Sequence, residues 1–243
     1  MTRPSPEDLS LISRPARHLE ATRLVSELHQ RSSFDVPALL RDLIEAASES
    51  VPGADCAGIT VSRRKRLAET ASATHRHAVL LDEIQNGCQQ GASLAAATSQ
   101  ESVIVGDLAG DVRWPLYRQE ALARTPIRSV LSLRMLKEGS TTAVLNFYAE
   151  RAGAFDDNSL ELGSIFATHT ALVWSMSQRD QQFRAALVSR DVIGQAKGRM
   201  IERFNIDGNE AFAMLKLMSQ DSNTPLAVVA RRVVAGEIWP LME

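Results

Sequence analysis

Between Ser164 and Ile193 the chain runs without a glycine or a proline. Those two residues are the strongest local terminators of helices, so this gap constrains the fold more than any other feature. Asp156 and Asp157 stand at its head, and either can cap a helix. Leu162, Phe166, Val173, Met176, Phe183 and Leu187 recur close to a 3.5-residue repeat, the spacing of a helix that pairs along a seam. His169 and Asp180 fall on that seam and interrupt it. The stretch predicts a coiled-coil-like connector over 156–188, stiffer than a flexible linker. It separates a larger N-terminal part from a short C-terminal one.

The N-terminal part reads as an α+β domain over 33–175. Residues 1–15 hold Pro4, Pro6 and Pro15 among polar residues and predict a disordered lead. Leu19, Leu24, Val25 and Leu28 predict a short amphipathic helix within 16–32. Asp35 can cap the next helix, with Pro37 in its first turn and Leu39, Leu40, Leu43, Ile44 and Ala47 on one face. After Pro52-Gly53, the run Cys56–Val61 predicts a central strand, and 67–77 predicts its partner. Residues 79–99 predict a helix with a glycine break. Strands follow at 101–106, 129–135 and 142–148, the last two joined by the polar hairpin Lys137-Glu-Gly-Ser140. The layout predicts a mixed sheet flanked by helices.

The C-terminal part, 189–235, predicts three short helices, followed by a tail at 236–243. Val192, Ile193, Ala196, Met200 and Phe204 form a buried stripe at helical spacing. Asp207 and Glu210 have the spacing of a capping box, and Ala211, Phe212, Met214, Leu215 and Met218 follow on the second helix. Thr224-Pro225 predicts a cap with proline at the first helical position, leading into Leu226, Val229, Ala230 and Val233.

Charge narrows the function only slightly. A net charge of −2 gives no bulk attraction to nucleic acid or anionic membrane, so any such contact must be local. From Ser189 to Val234, seven basic residues oppose five acidic ones. Two cysteines make no disulfide framework, the N-terminus lacks a secretory pattern, and no apolar run is long enough to span a bilayer. A cytoplasmic location is the expectation.

Ordered motif blocks carry a more specific message. Gln195-Ala-Lys-Gly198, Glu210-Ala-Phe212, Ser219 to Asn223, and Ala230 together resemble the ANTAR family of RNA-binding antitermination domains. The middle of the chain resembles GAF sensor domains of the actinobacterial type. Its carriers are Val51 to Thr60, Gly106 to Pro115, Ser129 to Ser132 and Gly153 to Asp156. The resemblance implies a GAF-type sheet, a helical connector and a three-helix ANTAR bundle. It also implies RNA carrying paired stem-loops as partner, in a two-hairpin leader, and a small-molecule ligand as candidate partner of the GAF domain. The connector implies a homodimer.

The residues themselves offer matching chemistry. Arg190 and Lys197 lie seven apart on one helix face and suit a phosphate. Arg203 adds a third cation, while Gln195, Ser219, Asn223 and Thr224 supply amide and hydroxyl groups for unpaired bases. Thr224 also reads as a helix cap, and Gly198 as a point of close helix packing. In the GAF part, Asp107, Asp111, Arg113 and Trp114 are candidates for a pocket lining. Gly91-Ala92-Ser93 stands where related sequences often read Gly-Pro-Cys, which argues against a thiol-based or ligand role for that turn.

Other constellations read as structural. His75 and His77 lack acidic or thiol neighbours and fit an exposed strand better than a metal site. Cys56 fits the core, and Cys88 is a candidate redox handle without an activating neighbour in sequence. No nucleophile elbow, phosphate-cradling loop, metal cluster or cofactor motif is present. Two rival classes remain: a DNA-binding factor using Arg231 and Arg232 on the third helix, and a cysteine-based methionine sulfoxide reductase.

Overall fold

The computed structural model describes residues 36–63, 66–99 and 101–238, together with Leu19, Thr22 and Arg23. The lead over 1–15, most of the helix expected within 16–32, Asp35 and the end of the tail lie outside the described residues. The chain forms two compact units, 1–177 and 178–243.

In the first unit, α1 (Val36–Ser50) turns Leu39, Leu40, Leu43, Ile44 and Ala47 inward, as its periodicity requires. It stops at Pro52-Gly53. Gly53 has φ +85°, and a side chain there would collide with the carbonyl of Ala154. The sheet is built from β1 (Cys56–Arg63), β2 (Arg66–Ala73), β3 (Ser102–Val105), β4 (Ser129–Glu138) and β5 (Thr141–Ala149), in the order β2-β1-β5-β4-β3.

Every pairing among the described residues is antiparallel, so the sheet is not mixed as the sequence had suggested. Hairpins join β1 to β2 and β4 to β5, the latter through Gly139 and Ser140. The helices between β2 and β3 connect strands at opposite edges. No crossover therefore sets two parallel strands side by side.

Alternation along the strands gives two packed faces. Ala57, Ile59, Val61, Leu131, Leu145 and Phe147 meet α1 and the first part of α5 (Asp157–Phe204). Cys56, Val130, Val144 and Tyr148 meet α2 (Arg76–Cys88), α3 (Ala92–Thr98) and α4 (Pro115–Arg124).

Two differences from the sequence reading are local, at His75 and His77 and at α4. His75 and His77 do not lie on a strand, because β2 ends at Ala73 and His75 caps α2 through its own ring nitrogen. The glycine break expected within 79–99 falls at Gly91: α2 and α3 separate where Gln89 adopts φ +53° and Gly91 φ +144°. Helix α4 was not expected. Tyr117 and Ala121 are its buried residues, too few for a clear periodic signal.

The second unit packs Ala196 and Met200 of α5 against Ala211 and Leu215 of α6 (Gly208–Asp221) and Val229, Ala230 and Val233 of α7 (Leu226–Ala235). Asp207 accepts from the backbone of Asn209 and Glu210 while Glu210 accepts from the backbone of Asp207, a complete capping box. Thr224 does not cap α7. Pro225 occupies the cap position, and the Thr224 hydroxyl turns back to the carbonyl of Ser222 at 3.0 Å.

Candidate nucleic-acid interface

The C-terminal stretch of α5 divides sharply by side. Ala196 and Met200 are fully buried, whereas Arg190, Gly194, Gln195, Gly198, Arg199 and Arg203 are exposed. Four-residue spacing forces this division, since i and i+4 share a face and their neighbours do not. Gln195 donates from Nε2 to Asp191 at 2.9 Å, which fixes its amide across one turn. Lys197 is partly buried and extends 6.0 Å over the ring of Phe212, which is itself exposed on α6. Arg203 lies 5.9 Å over the ring of Phe204.

Gly194 and Gly198 are both open. A side-chain carbon at either would find nothing within 4 Å. The expected close helix packing at Gly198 is therefore absent among the described residues. Two mid-helix glycines without packing neighbours each weaken the helix by about 1 kcal/mol.

The α6–α7 connection gathers the other expected contacts, and most of their hydrogen bonds go to the connection itself. Ser219 donates to the carbonyl of Thr224 at 2.6 Å, and the Thr224 amide returns to the carbonyl of Ser219 at 3.0 Å. Asn223 sits exposed with φ +46°, a left-handed conformation that asparagine tolerates better than most residues. Arg199, which sequence reasoning passed over, donates to the carbonyl of Val234 near the end of α7 at 2.5 Å. Arg231 and Arg232 are exposed, and Arg232 lies 3.5 Å from Glu237.

In the first unit Asp111, Arg113 and Trp114 hold one another in a loop after β3, while Asp107 pairs with Arg128 instead. Asp107 caps the short 3-10 turn Leu108–Gly110 and receives two bonds from Arg128, at 2.9 and 2.8 Å. The Arg128 hydrogen bonds keep its carboxyl below the usual range. Burial works against the Asp111 charge, but bonds from Arg113 outweigh it and hold that carboxyl low as well. Arg113 also reaches the carbonyl of Ile104 and stacks 4.4 Å over Trp114. Arg128 is the partner that sequence spacing could not reveal, being 21 residues from Asp107.

Neither cysteine is placed as an activated nucleophile. Burial, with Asp55 and Glu150 nearby, pushes the Cys56 thiol up to about 12. Cys88 donates to the carbonyl of Ile84 one turn earlier. Among the described residues no cluster of three or more His, Cys, Asp or Glu could hold a metal ion. Nor is any helix among them long and apolar enough to cross a membrane.

An antiparallel sheet layered between helices is the GAF fold, and the family comparison agrees: a GAF domain model matches residues 34–175. An ANTAR domain model matches residues 181–234, over the basic helix face and the α6–α7 connection. The chain belongs to the GAF–ANTAR family of antitermination regulators. The structure is similar to the GAF domain of a phosphoenolpyruvate-protein phosphotransferase from Coxiella burnetii. That likeness has TM-score 0.50 and 12% identity, covering 68% of this chain and 98% of that one. The corresponding Acinetobacter domain matches with TM-score 0.50 and 12% identity, covering 72% and 97%. A free methionine-R-sulfoxide reductase from Neisseria meningitidis matches with TM-score 0.49 and 15% identity, covering 69% and 93%. Identities this low show the fold alone. No curated protein matches the chain.

Proposed function

We propose that this protein is a signal-responsive antitermination regulator whose ANTAR module grips paired stem-loops in nascent RNA. The observation that carries the reading is the exposed face of α5. Arg190, Gln195 and Lys197 flank two open glycines in sequence within the segment matched by the ANTAR domain, and the end of Lys197 reaches toward Phe212. Cations position a phosphate backbone, amides read unpaired bases, and glycines let a backbone approach closely. Asn223 extends this set from the α6–α7 connection, and Arg203 adds charge one turn beyond Arg199.

The molecule works as a homodimer in the cytoplasm. Met176, Phe183, Leu187 and Val188 are exposed on α5 and are available to pair with a second copy. A signal received by the GAF domain alters the packing or register of these paired helices. Two RNA-binding modules then engage two hairpins at once, which raises avidity through effective concentration. The two arginines at the end of α7 are a thin basis for major-groove reading, so duplex DNA is the lesser partner. A gel shift with a two-hairpin leader RNA and a duplex DNA at one salt concentration tests the assignment. Preference for the duplex would refute it.

A further inference from the structure

Asp82 is 3% exposed, in the middle of α2, and no basic side chain pairs with it among the described residues. It faces a polar row that crosses the otherwise apolar face of the sheet. Thr60 donates to it at 2.7 Å and Thr70 at 2.6 Å, while Gln85 approaches from the next turn at 3.4 Å. Every hydrogen in this set points toward the carboxylate.

That direction fixes the next link. Thr60 has given its only hydrogen to Asp82, so its oxygen can only accept, and Asn146 donates to it from Nδ2 at 2.8 Å. The amide orientation is thereby set, and Asn146 Oδ1 is left as a buried acceptor without a donor. Directly across the strand pair from Asn146 stands Ser132, whose buried hydroxyl is also unpartnered. So is the hydroxyl of Tyr117, which comes from α4 and is fully buried within reach of the Asp82 charge. Three of the six unpartnered buried polar atoms among the described residues thus belong to this layer, and the other three are on α5. Buried polar atoms are almost always paired, so such a grouping marks an absent partner.

The bookkeeping also specifies that partner. Asn146 Oδ1 can only accept, the Ser132 and Tyr117 hydroxyls can each accept or donate, and the one negative charge of the layer has no cation beside it among the described residues. We propose that the interior layer around Asp82, Asn146, Ser132 and Tyr117 is the sensing site of the GAF domain and takes a small ligand bearing a primary ammonium group. Three N–H donors and a positive charge satisfy Asp82 and Asn146 Oδ1 together, and the Tyr117 hydroxyl oxygen takes the third. Ser93, from the turn whose sequence argued against a ligand role, lies in the same layer 3.5 Å from Asn146. The titratable groups that feel the Asp82 charge are Tyr117 from α4 and Tyr148 from β5, with Cys88 near Tyr117 and Cys56 near Tyr148. None of these is basic. Burial pushes the Asp82 carboxyl up to about 6, so a proton competes with the ammonium group in mildly acidic solution.

This inference rests on the reading of the GAF domain as a sensor, and its test uses the full-length protein without RNA. Thermal unfolding is followed at pH 7.5 in rising methylammonium chloride, with sodium chloride and tetramethylammonium chloride at equal ionic strength as controls. Methylammonium alone raises the melting temperature, and the effect saturates. The half-saturating concentration rises about tenfold in Asp82→Asn and severalfold in Tyr117→Phe, and it also rises in the parent at pH 5. If methylammonium acts no differently from either control salt, the layer holds water only and the proposal falls. It falls equally if Tyr117→Phe responds like the parent, which settles the matter even if Asp82→Asn does not fold. Failure here leaves the RNA assignment standing, and failure of the RNA gel shift leaves this result standing.

Discussion

Lys197 of α5 extends over the ring of Phe212 on α6, joining two residues fifteen positions apart in sequence into one surface pair. Phe212 is 41% exposed, while its neighbours on the inner side, Ala211 and Leu215, are fully buried. Phe212→Ala should therefore cost about 1 kcal/mol or less, whereas Leu215→Ala should cost about 2–5 kcal/mol. Urea unfolding of the two variants checks this. Equal losses would mean that Phe212 belongs to the core.

Gly198 sits mid-helix with open space around its α-carbon. Gly198→Ala should stabilise the protein by about 0.5–1 kcal/mol and at the same time weaken RNA binding. A calorimetric melt and an RNA titration on the same preparation separate the two effects. Loss of stability would reveal a packing role that the geometry does not contain.

Asp207 caps α6, and hydrogen bonds from the backbones of Glu210 and Asn209 hold its carboxyl below the ordinary range. A depressed carboxylate pKa contributes stability that is present above the unfolded value and lost as pH falls through the folded value. Asp207→Ala should lower the melting temperature at pH 7 and flatten its decline in acid, while Asp207→Ser should retain most of the stability. Melting curves from pH 7 to pH 2.5 provide the comparison.

Asp82 has the opposite sign. Its carboxyl is raised by burial from 3.8 to about 6, so the folded state holds the proton more tightly than the unfolded chain. Its contribution is fully present below the unfolded value and is lost as pH rises to about 6, a change of about 3 kcal/mol by linkage. In Asp82→Asn that slope between pH 4 and pH 6 should disappear. Denaturant titrations across the window measure it, and an unchanged slope would assign it to another group.

How far the sequence revealed all this depended on the range of each interaction. The long helix, the faces of α1 and α5 and the capping box at Asp207 are set by residues within a few positions of one another. They were legible from spacing alone. Strand pairing is not local: Cys56 finds Tyr148 across the whole unit, so periodicity could name strands but not their direction. Ser219 and Thr224 share hydroxyl chemistry with base-reading residues, and only coordinates show those groups committed to the α6–α7 connection. Asp82 escaped notice for a related reason. On a helix with a weak apolar pattern, an aspartate reads as solvated, and its threonine partners lie 22 and 12 residues away.

The central claim is that the exposed face of α5 binds stem-loop RNA, and Lys197 tests it most directly. A two-hairpin leader RNA and a duplex DNA of similar length are titrated with the parent and with Lys197→Ala at one fixed salt concentration. The parent should bind the RNA more tightly than the DNA, and Lys197→Ala should weaken RNA binding by about tenfold with its fold and melting temperature intact. Equal binding of duplex and hairpins, or unchanged RNA affinity in Lys197→Ala, would contradict the assignment.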